Sequence, residues 1–229
     1  MKNPRLHPRL WDACYLSLSD LRDATARVAP GFRGDVVDYG AGSKPYRELF
    51  SQVTSYRGAD FVIHDEGDIL LPNEVDLPLA DGSVDHVLSF QVFEHVPDPQ
   101  RYLRECHRVL KPGGSVLLTT HGAWCYHPGP TNGDFWRWTH EGLGKLFSEC
   151  GFQVEECRAL TPGWRCLLQQ ALILRDPFRH RQTWTRTLGS RLASVLINSL
   201  GVILQTVRRT QDSHCDILPV GYLVIARKA

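Results

Sequence analysis

The stretch that most constrains this chain is Gly34-Asp-Val-Val-Asp-Tyr-Gly-Ala-Gly-Ser-Lys-Pro-Tyr46. Val36 and Val37 are β-branched and read as a short buried strand. Asp38 closes it, and Gly40 and Gly42 follow at a spacing that permits a very tight turn. Pro45 suits the first turn of a helix, where its missing N–H costs nothing. Strand, glycine turn and helix in this order open a nucleotide-type cofactor site. The pattern predicts strand and turn over 35–42 and a helix over 44–51.

The rest of the chain repeats the alternation. A second strand over 54–59 ends at Asp60, 22 residues beyond Asp38, where dinucleotide-type sites place an acid that binds ribose hydroxyls. Strands are predicted at 68–71, 84–90, 115–120, 152–158 and 222–226. Helices are predicted at 10–29, 99–110, 140–150, 164–174 and 187–208, each from apolar residues at helical spacing. Lys111-Pro-Gly-Gly114 and Gly151 stop two of them. Such alternation predicts an α/β fold, a doubly wound and mostly parallel sheet with helices on both faces. Ligands bind such sheets at the carboxyl ends of the strands. Asp38, Asp60, Asn73, Gln91 and His121 all fall just past predicted strand ends.

The 229 residues suffice for one well-packed domain, with 1–30 as an N-terminal cap helix and 160–212 as a helical insertion before the last strand. A net charge of +1 gives no global electrostatic case for a nucleic-acid partner. Seven cysteines, with no CxxC pair, argue against a disulfide framework or zinc spacing. No Asp/Glu/His spacing calls for a metal, so none is expected. No run of 18 apolar residues occurs, so no membrane span is expected and the default is a cytoplasmic protein. The 160–212 segment carries Arg175, Arg179, Arg181, Arg186 and Arg191. It reads first as packing helices with solvated arginines. An oligomer interface, a substrate lid and a peripheral membrane contact stay open beside that, as does the oligomeric state.

Five segments in order resemble the class I S-adenosylmethionine (SAM)-dependent methyltransferases, closest to their broad small-molecule (type 11) group. They are Val36-Val-Asp-Tyr-Gly-Ala-Gly42; Asp60; Leu77-Pro-Leu-Ala-Asp-Gly-Ser-Val-Asp-His-Val-Leu88; Gln91-Val-Phe-Glu-His-Val96; and Leu103-Arg-Glu-Cys-His-Arg-Val-Leu-Lys-Pro-Gly-Gly114. The resemblance covers roughly 34–158. It implies a Rossmann-like sheet of seven strands with an antiparallel last strand, and SAM as cofactor. Gly40 and Gly42 would let the backbone approach the methionine moiety, and Asp38 would orient its amino-acid end. Asp60 would bind the ribose, Asn73 would face the adenine amino group, and Gln91 would line the methyl-donor end. Lys44 replaces the third glycine of the family turn, which suits a cofactor without a pyrophosphate.

The resemblance implies methyl transfer to a small-molecule acceptor, with oxygen favoured over nitrogen or carbon. His121 is the candidate general base, because an imidazole titrates near neutrality. A structural histidine reads equally well there, and His127 and His140 are weaker candidates. Glu94-His95 reads first as a loop cap. The aromatic run from Trp124 to Trp138 reads either as a packed lid or as a substrate wall of Trp124, Tyr126, Asp134, Trp136, Arg137 and Trp138. Loosely similar segments occur in bacterial methyltransferases of cell-surface glycans or secondary metabolites. A non-catalytic SAM-binding protein is one rival. A nicotinamide-dependent oxidoreductase is another, disfavoured because the full Gly-x-Gly-x-x-Gly turn is missing.

Overall fold

The computed structural model describes residues 3–73, 75–128, 133–175, 188–208 and 217–229. Seven strands run in the order β1 (Gly34–Tyr39), β2 (Val53–Asp60), β3 (Ile69–Leu70), β4 (Val84–Phe90), β5 (Leu110–His121), β6 (Phe152–Leu160) and β7 (Gly221–Lys228). Five helices separate or flank them: α1 (Tyr15–Val28), α2 (Pro99–Val109), α3 (His140–Glu149), α4 (Trp164–Arg175) and α5 (Leu188–Arg208). The strands make one sheet in the order β3-β2-β1-β4-β5-β7-β6. Every pair is parallel except those of β7, which runs antiparallel to both β5 and β6. This is the doubly wound α/β sheet that the alternation predicted, with the seven strands and the antiparallel last strand that the resemblance implied. Strand order reverses between β1 and β4, so a crevice opens past the carboxyl ends of those two strands.

Each face of the sheet carries its own apolar layer. On one, Tyr102, Leu103, Cys106 and Val109 of α2 and Leu143 and Phe147 of α3 pack on Val37, Val87, Val116 and Val224. On the other, Leu21 and Ala24 of α1, with Tyr46 and Phe50, cover Val36, Leu88, Leu117 and Leu223. Asp98 caps α2 by accepting from the Arg101 amide at 2.9 Å, and Thr139 caps α3 by accepting from the Gly142 amide at 3.1 Å. The described cysteines 106, 125, 150 and 166 are free thiols.

Two expectations are corrected near β1. The helix expected over 44–51 is a single 3-10 turn, Arg47–Leu49. The helix expected from residue 10 starts at Tyr15, and Asp12 accepts from the Arg9 amide in the turn before it. With no full helix between β1 and β2, α1 does much of the covering on that face.

Helices α4 and α5 are bound to α1 by polar groups as well as apolar ones. Arg165 forks onto Asp20, with Nη2 to Oδ1 at 2.9 Å and Nη1 to Oδ2 at 2.5 Å, while its Nε donates to the Gly201 carbonyl at 3.1 Å. Thr161 donates to the same Asp20 carboxylate at 2.7 Å. Gln169 accepts from the Ser17 amide and donates to the Ala13 carbonyl, and Asn198 donates to the carbonyls of Leu10 and Asp12. Gly201 lies so close to α1 that a Cβ there would sit 2.7 Å from Leu16. The outer face of α5 leaves Leu192, Leu196, Leu200 and Ile203 exposed. Arg179, Arg181 and Arg186 lie outside the described residues. No described helix is long and apolar enough to cross a membrane.

Arg165 and Asp20 are each more than nine-tenths buried. Removing one partner leaves the other charge buried without compensation. Arg165→Met is expected to lower stability by about 3–5 kcal/mol, read by chemical denaturation. A loss under about 1 kcal/mol would mean that the pair does not hold the helices together.

Candidate active site

The glycine turn is built from β1 and β2 together. The Gly40 amide donates to the Ala59 carbonyl at 2.8 Å, and the Gly42 amide donates to Asp60 Oδ2 at 2.6 Å. Gly40 has φ +75°, and a Cβ there would meet Val92 at 2.4 Å, so only glycine lets β4's exit loop close against the turn. Gly42 has φ +49° and open space where a side chain would be, on the cavity side. Asp60 Oδ1 accepts from the Phe61 amide at 2.7 Å, which fixes the carboxylate at the rim.

Lys44, standing for the family's third glycine, also has a positive φ, 51°. Its ammonium is buried and binds Asp65 and Asp68. Asp68 Oδ1 in turn accepts from the Gly58 amide at 2.8 Å. The lysine therefore ties the turn to the loop before β3, a role that sequence spacing did not reveal.

One cavity of about 970 Å³ joins this cradle to the far end of β5. That is the upper end of the roughly 300–1,000 Å³ of small-molecule sites, and leaves room for a nucleoside cofactor and a second molecule. Gly40, Gly42, Asp60, Gln91 and His121 all line it. Gln91 follows β4 with φ +56°, its amide donating to the Thr119 carbonyl at 3.0 Å and its side chain to Thr119 Oγ1 at 3.2 Å. Leu18 and Leu21 of α1 and Ile173 and Leu174 of α4 form an apolar wall. Their participation had no local sequence signal, because it depends on helices far apart in the chain. Asn73 is placed elsewhere. Its Oδ1 accepts from the amides of Val75 and Asp76, its Nδ2 donates to Asp76, and it does not line the cavity.

Beyond Gln91 the cavity meets a cluster of titratable groups. Glu94 is fully buried. Its Oε2 accepts from Thr120 at 3.0 Å, and its Oε1 lies 2.8 Å from His121 Nδ1, though not aligned with it as donor and acceptor. Burial works against its charge, but the His121 ring outweighs that and holds the carboxyl below its usual range. His121 stacks on Trp124 with ring centres 5.0 Å apart and meets His127 edge-on at 4.8 Å. Burial, with His121 adding to it, pushes His127 down to about 4. His95 Nδ1 donates to the Gly133 carbonyl at 2.6 Å, which leaves Nε2 with its lone pair in the neutral ring. The sequence suggested no metal site. The structure brings ligand atoms of Glu94, His121 and His127 within 4.8 Å of one another.

The aromatic loop divides. Trp124 and Tyr126 line the cavity. Asp134, Arg137, Trp136 and Trp138 do not, and each is engaged in holding the loop. Asp134 binds Arg137 through two contacts of 2.6 Å and accepts from the His127 amide at 2.8 Å. Burial opposes its charge, yet Arg137 holds its carboxyl down to about 2. Arg137 also donates to the carbonyls of Trp124 and Cys125. Trp136 donates to the Val96 carbonyl at 2.8 Å, and Trp138 stacks on Phe93. Of its aromatics, the loop thus brings only Trp124 and Tyr126 to the cavity.

Asp38 lies behind the cradle, fully buried, with Tyr56 donating to Oδ2 at 2.7 Å and no partner for Oδ1 among the described residues. Burial, helped by the charge of Asp60 and opposed by Tyr56, raises its carboxyl to about 7. The folded protein therefore binds a proton that the unfolded chain, with a carboxyl near 3.8, has lost. Its contribution to stability is whole below pH about 4 and is lost as pH rises to about 7. Asp38→Asn is expected to gain stability relative to the parent between pH 5 and pH 8, on the order of 2–4 kcal/mol. The readout is denaturation midpoints across that range, and parallel curves would contradict it.

Residues 38–118 match a family model described as a methyltransferase domain. A Mycolicibacterium smegmatis protein named "Probable S-adenosylmethionine-dependent methyltransferase" is 41% identical over 100 residues, 42% of this chain and 39% of that protein. A malonyl-[acyl-carrier protein] O-methyltransferase of Coxiella burnetii is 54% identical over 46 residues, 20% of this chain and 16% of that one. The chain thus spans less than half the length of these curated relatives. Among solved structures, the phosphoethanolamine N-methyltransferase 2 of Haemonchus contortus in complex with SAM superposes with a TM-score of 0.54. That likeness covers 92% of this chain and 52% of the other at 19% identity, and it speaks for the fold. Residues 38–118 are a methyltransferase domain, and the sheet around them has the strand order of the class I, SAM-dependent methyltransferases.

Proposed function

We propose that the protein transfers a methyl group from SAM to a small-molecule acceptor, with an acceptor oxygen as the nucleophile. The observation that carries this reading is the single cavity linking the Gly40–Gly42–Asp60 cradle to the buried Glu94–His121–His127 cluster. The residues of the cradle fit SAM. Asp60 offers a fixed carboxylate to vicinal hydroxyls, and the bare backbone at Gly42 admits close approach. Bound SAM supplies an electrophilic methyl group on a sulfonium, so the protein need only hold a nucleophile in line with it and exclude water.

The acceptor side supports oxygen. A hydroxyl must lose its proton as it is methylated, and a buried imidazole beside a carboxylate is suited to favour that loss. His121 is the group at which the acceptor is activated, with the buried Glu94 carboxylate 2.8 Å from its Nδ1. The apolar wall of Leu18, Leu21, Ile173 and Leu174 favours an acceptor with an apolar body over a bare sugar. A secondary-metabolite or lipid-like acceptor fits that wall better than a free glycan. The C. burnetii relative's name is consistent with oxygen as the atom methylated.

Two variants separate cofactor binding from chemistry. Asp60→Ala is expected to weaken SAM binding by about 1–3 kcal/mol, measured by calorimetry, because charge-assisted hydrogen bonds are lost. Unchanged affinity would remove Asp60 from the cofactor site. His121→Ala is expected to leave SAM affinity within about threefold while lowering single-turnover methyl transfer by roughly 10²-fold or more. Full turnover in that variant would make His121 structural. Tight binding of SAM with no transfer to any acceptor in a metabolite screen would favour the non-catalytic SAM-binding protein instead.

A further inference from the structure

Three buried atoms at the far end of the cavity or just behind its wall make no hydrogen bond among the described residues: Glu94 Oε1, His121 Nδ1 and His127 Nδ1. They belong to the same three residues whose ligand atoms converge within 4.8 Å. Buried polar atoms are almost always satisfied, so three orphans at one place need a common explanation. A carboxylate–imidazole pair alone does not supply it. Glu94 Oε1 and His121 Nδ1 are 2.8 Å apart without the alignment of a hydrogen bond, and the pair leaves His127 unexplained.

We propose that Glu94, His121 and His127 form a binding site for one divalent transition-metal ion of the zinc type. The donor set is one carboxylate and two imidazoles, which suits zinc and its first-row neighbours and disfavours magnesium and calcium. With bonds of about 2.1 Å, tetrahedral ligand atoms stand roughly 3.4 Å apart. The Glu94–His121 contact, at 2.8 Å, opens by about 0.6 Å to reach that spacing. His127 is the partly exposed member and can rotate in by the remaining distance.

The groups behind the three ligands fit the role. Thr120 donates to Glu94 Oε2 and fixes the carboxylate, Trp124 stacks flat on His121, and Asp134 accepts from the His127 amide. Such supports orient ligands and sharpen affinity. Three protein ligands leave a further position open, and all but Glu94 line the cavity.

What the ion does rests on the methyl-transfer reading; that it binds does not. An acceptor hydroxyl at the open position is made more acidic and releases its proton to solvent. Its oxygen then forms the new O–CH₃ bond as the S–CH₃ bond breaks, and the bonding pair stays on sulfur, leaving neutral S-adenosylhomocysteine. No oxidant or reductant is needed. The ion takes over the activation of the hydroxyl, and His121 serves as its ligand.

The test uses the full chain stripped with a chelator and titrated with zinc chloride, then with cobalt(II) chloride. Expected are one zinc per chain and a cobalt spectrum of nitrogen and oxygen ligands without thiolate charge transfer. In His127→Ala, and in Glu94→Gln where it folds, zinc affinity should fall at least about tenfold. The His140→Ala control, on the outer end of α3, should bind as the parent does. SAM calorimetry is run on the same samples. Affinity for SAM that survives stripping, with acceptor turnover that returns on adding zinc, supports the proposal in full. No zinc binding below about 100 µM, equal affinity in parent and His127→Ala, or a thiolate cobalt spectrum would each overturn the site. If zinc binds as expected while SAM does not, the methyl-transfer reading fails and the metal site stands.

Discussion

A carboxylate taken fully out of water must be compensated on the spot, and at Glu94 much of the functional edge is arranged around that need. Its side chain draws Thr120 and His121 from the end of β5. Its main-chain carbonyl accepts from the amides of Phe135 and Trp136 at 2.8 and 3.2 Å, so the same residue anchors the returning aromatic loop. His121 then carries Trp124, and Arg137 bolts the loop's two limbs together by binding Asp134 and the carbonyls of Trp124 and Cys125. This end of the cavity is therefore one connected polar unit.

The opposite wall has a different origin. Helices α1, α4 and α5 come from the beginning and the end of the chain, and none belongs to the glycine turn or the strands it joins. They meet the sheet as a group held by Arg165, Asp20, Gln169 and Asn198. Apolar side chains of α1 and α4 complete the cavity that the strand ends only begin. The cradle can thus stay as the sheet dictates, while the space for the acceptor is set by helices that are free to differ. This separation is how one sheet serves many acceptors.

The strands and the glycine turn were legible because each rests on local pattern: β-branched runs, glycines at a turn, an acid at a strand end. Gly40, Gly42, Asp60 and Gln91 line the cavity beside the strand ends, whereas Asp38 lies within β1, buried behind the cradle. The failures have long-range causes. Lys44 sits in a left-handed conformation because Asp65 and Asp68, two dozen residues on, repay its burial. Asn73 has the right position in the chain, but its amide is spent on the loop that carries it. Asp134 and Arg137 looked like handles for a ligand and are handles for each other. Glu94 and His127 lie 33 residues apart, and only the folded loop reveals that they face one space.

Charge explains why the cradle and the cluster stay distinct in function. At the cradle, Asp60 lines the cavity while Asp38 lies buried behind it, and the charge of Asp60 is one reason that the Asp38 carboxyl is raised to about 7. A cationic ligand seated against Asp60 offsets that repulsion, so Asp38 ionises more readily once such a ligand is bound. Affinity for a cation and the proton on Asp38 are then linked, each opposing the other. At the cluster the sign is reversed: the His121 ring outweighs burial and holds the Glu94 carboxyl below its usual range. The cavity thus runs from the Asp60 carboxylate at the cradle to His121, behind which the buried Glu94 carboxylate lies 2.8 Å away.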